Sequence, residues 1–69
     1  MKEIEAQPSG VLLELTRDEL LILNNALNEV CNGIDLDEFF TRMGAERSEV
    51  ERLLAEVSRL ADRMLKDPD

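Results

Sequence analysis

The sequence predicts a mainly α fold: a three-helix domain with helices at about 17–32, 36–43 and 46–66, preceded by a short extended or hairpin segment, and dimeric. Three observations carry this. Apolar residues recur at three- and four-residue spacing, the period of one helix face. Capping patterns and glycines punctuate that periodicity. And 69 residues with a single cysteine and no histidine leave no intrachain disulfide and remove the commonest transition-metal ligand, so association is the remaining supplement to a small core.

At the N-terminus, Gln7-Pro8-Ser9-Gly10 is a turn signal, with proline suited to the second position and glycine to the fourth. Val11, Leu13 and Leu15 then alternate as in a strand, which either pairs with residues 2–6 across the turn or belongs to a frayed arm. Residues 1–10 and 67–69 are expected to be mobile ends of a single domain. Thr16-Arg17-Asp18-Glu19 is a capping box that starts the first helix, and Gly33 is placed to end it in the left-handed conformation. On a wheel of about 100° per residue, Leu20, Ile22, Leu23, Ala26, Leu27, Val30 and Cys31 form the half expected to face the core. Cys31 on that arc reads as a small buried hydrophobe.

Asp35-Leu36-Asp37-Glu38 repeats the capping logic for a short second helix that ends at Gly44. Asp35-x-Asp37 is not a calcium loop, because Phe39 and Phe40 stand where further ligands and the loop glycine belong. The third helix has Val50, Leu53, Leu54, Val57, Leu60, Ala61 and Met64 on one face, and Glu49 with Arg52, Glu56 with Arg59 and Asp62 with Lys66 on the other.

A net charge of −8 repels phosphate backbones and anionic membranes, so neither nucleic acid nor a membrane is expected as a partner. Seven of the sixteen acids, Asp18, Glu19, Asp35, Asp37, Glu38, Glu46 and Glu49, sit at helix starts, where the macrodipole favours them. No apolar run is long enough to span a bilayer and no leader is recognisable, so a cytoplasmic location is expected. The serines have no histidine to activate them, and no lysine lies in an apolar stretch. We expect no enzyme, no catalytic residue, no bound metal and no cofactor.

The residues singled out for binding lie on the first helix. Asn24, Asn25, Asn28 and Asn32 share an arc with Leu21 in its middle and Glu29 alongside. Asparagine is a mediocre helix former, so propensity does not account for four of them, and neutral amides around an aliphatic side chain can bond a partner with little charge desolvation. This face is either one that meets an unidentified protein, a basic one on electrostatic grounds, or the seam of the homodimer, or a plain solvated polar face with one exposed leucine.

Two resemblances bear on these segments. Phe39, Met43, Gly44, Ala45, Val50 and Leu53 within 35–54 occupy the apolar and glycine positions of the helix-turn-helix family. That resemblance implies that Glu46, Arg47, Ser48, Glu51 and Arg52 face a DNA groove, yet two of the five are carboxylates; its reading is a transcription accessory protein without strong DNA binding of its own. The segments Leu23-Asn24-Asn25-Ala26-Leu27-Asn28-Glu29-Val30-Cys31-Asn32-Gly33 and Phe40-Thr41-Arg42-Met43-Gly44 resemble a group of small uncharacterised bacterial proteins, which implies a bacterial origin. In size and charge the chain is also similar to immunity proteins that neutralise basic bacterial toxins. The function this supports is a non-enzymatic protein-interaction module, most concretely a small acidic inhibitor or adaptor.

Overall fold

The computed structural model describes residues 1–66; the expected mobile residues 67–69 lie outside them. Strands β1 (Lys2–Gln7) and β2 (Gly10–Glu14) form an antiparallel hairpin closed by Pro8 and Ser9. Helix α1 (Arg17–Asn28) runs into a π-turn (Glu29–Gly33), followed by a short α2 (Phe39–Met43) and a long α3 (Arg47–Lys66). The expectation of a mainly α chain is thereby corrected: a two-stranded sheet of six and five residues makes this a small mixed α and β fold. The Pro-Ser turn holds Gln7 opposite Gly10, so the alternating residues on either side pair instead of fraying.

The Thr16 capping box forms as its residue types require. The Glu19 amide donates to the Thr16 hydroxyl at 3.1 Å, and the Thr16 amide donates to the Glu19 carboxylate at 2.9 Å. The other end differs from expectation. Gly33 is not left-handed; the helix widens over Glu29–Gly33 until the Ile34 amide reaches the Glu29 carbonyl at 3.0 Å, and the chain leaves in an extended conformation.

Helix α2 also starts later than the sequence suggests. No side chain caps it; Glu38 stands at its start with φ 54°, the one non-glycine residue with positive φ among those described. Gly44, φ 75°, ends α2 in the left-handed conformation that glycine adopts without a Cβ clash. In α3 the Glu46 amide donates to the Glu49 carboxylate at 3.0 Å, so the acid at the helix start satisfies one of the free amides there.

The core is the seam between α1 and α3, which run antiparallel. Arg17 Nη2 donates to the Met64 carbonyl at 2.9 Å at one end, and Arg47 Nη1 donates to the Cys31 carbonyl at 2.7 Å at the other. Leu20, Asn24, Leu27 and Cys31 face Val50, Leu54, Val57 and Ala61, both sets with the four-three-four spacing of interdigitating helices. Among the described residues the buried ones are Leu20, Cys31, Val50 and Ala61.

The buried face of α1 is therefore turned toward the asparagines relative to the expected half-wheel. Ile22 is 66% exposed, and Leu23 and Ala26 are also exposed, while Asn24 takes a place in the seam. The hairpin scarcely touches the helices, and every residue from 2 to 14 is exposed. The Met1 ammonium pairs with the Glu19 carboxylate, tying the root of the hairpin to α1. This is the one ion pair among the described residues: the expected Glu49–Arg52 and Glu56–Arg59 pairs are not made, and the side chain of Lys66 lies outside what is described.

Candidate protein-binding face

The antiparallel seam gives the α1/α3 layer two unlike sides. Asn24 and Ser58 meet on one of them, the Ser58 hydroxyl donating to Asn24 Oδ1 at 2.6 Å. At about 100° per residue, Asn25, Asn28 and Asn32 continue that side on α1, beyond Leu21. Asn32 Nδ2 donates to Asn28 Oδ1 at 2.9 Å, one helical turn apart, and both side chains are exposed. Asn25 and Glu29 are exposed as well.

Of the six residues singled out from the sequence, four thus lie together on open surface: Asn25, Asn28, Glu29 and Asn32. Leu21 is half-buried, and Asn24 is engaged by α3. Asn28 and Asn32 also mark where α1 passes into the π-turn, whose wider winding leaves the Cys31 carbonyl free to accept from Arg47. Arg47 is clamped further, its guanidinium 4.5 Å from the centroid of the Phe39 ring. That contact anchors α2 to α3.

The Arg47 clamp bears on the helix-turn-helix residues. Glu46, Ser48, Glu51 and Arg52 are exposed, but the arginine best placed among them for a phosphate is half-buried and spent on Cys31 and Phe39. The packed helix pair is α1 with α3, while α2 has only five residues. No helix among the described residues is long and apolar enough to cross a membrane.

The opposite side of the layer was not foreseen. Ser58 and Asn24 fix which flanks of the two helices lie together, so the row Glu19, Leu23, Ala26 and Val30 on α1 falls on the same side as Leu53 and Leu60 on α3. Leu53 is 50% and Leu60 43% exposed. The signal in the sequence was the breadth of the apolar arc of α1, half a wheel where a single neighbour covers less. Comparison with protein families, curated proteins and solved structures finds no match to this chain.

Proposed function

We propose that this chain is a non-enzymatic protein-interaction module of a bacterial cytoplasm, a small acidic inhibitor or adaptor of the immunity-protein kind. The observation that carries this reading is an imbalance of burial: Leu20, Cys31, Val50 and Ala61 are buried, while Ile4, Val11, Leu12, Ile22, Phe40 and Leu53, all large and apolar, are at least half exposed. Among the exposed apolar side chains, Leu23, Leu53 and Leu60 lie together on one side of the α1/α3 layer, and contiguous apolar surface of this kind supports contact with another chain.

The site for a different protein is the amide strip Asn25, Asn28 and Asn32 with Glu29. It offers neutral donors and acceptors beside one carboxylate, on a chain whose charge of −8 draws in a basic partner. Affinity capture from the native cell, read by mass spectrometry, tests this. A basic protein is captured by the wild type and lost with Asn25→Arg and Asn28→Arg together, whose cations repel it. Capture unchanged by that double substitution removes the strip from the reading; no capture at all removes the adaptor.

A further inference from the structure

We infer that the apolar side of the α1/α3 layer is the seam of a homodimer, roofed by the hairpin of a second copy. This rests on the protein-binding reading above and assigns a separate surface to one partner, the chain itself.

The first argument is area. The chain exposes 5544 Å² at 7.8 kDa, where a folded monomer of that mass exposes roughly 4,400 Å². The difference, on the order of 1,100 Å², exceeds the roughly 800 Å² per partner of a specific interface. A radius of gyration of 13.6 Å, against roughly 11 Å for a compact chain of this length, and a thickness of 16 Å describe the same flat, open shape.

The second argument is the hairpin, which is marginal in water unless something packs on it. Its cross-strand partners, Ala6 opposite Val11 and Glu3 opposite Leu13, place Val11, Leu13 and Ala6 on one face, with Glu3 at its edge. Ile4, the extra residue where the register shifts between Glu3 and Glu5, adds to that face by its i, i+2 relation to Ala6. The opposite face carries Lys2, Glu5 and Glu14 around Leu12. Val11 is 59% exposed, so its own helices do not cover this face.

The third is complementarity within one chain. Glu19 belongs to the same helical row as Leu23 and Val30, and the Met1 ammonium is bound to it, so the hairpin is rooted on the apolar side of the layer. An apolar sheet face on a hairpin rooted beside an apolar helix face supplies the two halves that an isologous contact needs, in which each copy covers the other.

Light scattering at about 50 µM, above the dissociation constants of most specific dimers, is the first test. The wild type is expected at twice the chain mass and the Leu53→Glu, Leu60→Glu variant at half of that, with its helical circular dichroism kept. Isotope-filtered NOEs in a dimer mixed from labelled and unlabelled chains cover the case in which the variant fails to fold: cross-chain signals between the methyls of Leu60 and those of Val11 or Leu13 are expected. A monomeric wild type overturns the seam, as does a dimer without those signals. A monomer that still loses its partner on Asn25→Arg and Asn28→Arg substitution overturns the seam and leaves the adaptor reading standing. A dimer with these signals that captures no protein upholds the seam alone.

Discussion

Ser58 and Asn24, 34 positions apart in the sequence, share a 2.6 Å hydrogen bond across the α1/α3 seam, and both are half-buried. The bond selects which flank of α1 is packed. Replacing Asn24 by alanine strands the Ser58 hydroxyl and is expected to cost about 1 kcal/mol, whereas Asn25→Ala, on open surface, stays within about 0.5 kcal/mol. Urea unfolding at one fixed protein concentration reads both. A double-mutant cycle with Ser58→Ala should return most of the Asn24 cost as coupling; two additive losses would mean that the bond contributes nothing.

Arg47 holds three elements together, through the Cys31 carbonyl at 2.7 Å and the Phe39 ring at 4.5 Å. A charge-assisted bond and a cation–π contact at a half-buried site together contribute about 2 kcal/mol. Arg47→Met is expected to lose that much in chemical denaturation and to broaden the amide signals of Phe39–Met43, whose main anchor is gone. Arg47→Lys should recover less than half, because an ammonium lacks the planar fork that can bond and stack at once. Full recovery by lysine would reduce the site to simple charge.

Strain and its absence meet at the two ends of α2. Glu38 has φ 54° and no side-chain cap, while Gly44 has φ 75° and open space where a Cβ would stand. Glu38→Gly is expected to raise stability by about 0.5 to 1 kcal/mol, since the relief of left-handed strain outweighs the added freedom of the unfolded chain. Gly44→Ala should lower it by about 1 kcal/mol from backbone strain alone. Thermal melts of the two variants should therefore move in opposite directions.

What could be read from the sequence was what short-range chemistry decides. Thr16 and Glu19 cap each other three residues apart, Gly44 ends α2, and Pro8-Ser9 makes a turn, each for reasons contained within a few residues, whereas the pairing of strands across that turn was left open between a hairpin and a frayed arm. The phase of α1 was not decided locally. Its apolar half-wheel pointed to Ile22 and Ala26, but the neighbour in α3 offered Ser58 to Asn24, and the helix packed on that flank. Gly33 misled in a similar way: the π-turn closes with the Ile34 amide on the Glu29 carbonyl and needs no left-handed residue. The amide strip was legible as a cluster; that Leu21 and Asn24 would be drawn into packing was not.

Glu19 supplies the pH dependence. The hydrogen bond from the Met1 ammonium, and next the Thr16 amide, hold its carboxyl below the ordinary glutamate value. Both partners favour the charged form, so the folded-state value is the lower of the two. The resulting stabilisation is present above the unfolded-state value and is lost as pH falls through the folded one. Carbon-detected titration should find Glu19 protonating below the ordinary glutamate value. Glu19→Gln should remove this part of the acid sensitivity, leaving a shallower fall in stability on the acid side of the glutamate range. It should also release the root of the hairpin, raising the exchange rate of amides near Lys2 and Glu14, which pair at that end. Unchanged exchange there, with acid sensitivity retained, would show that the ammonium contact anchors nothing.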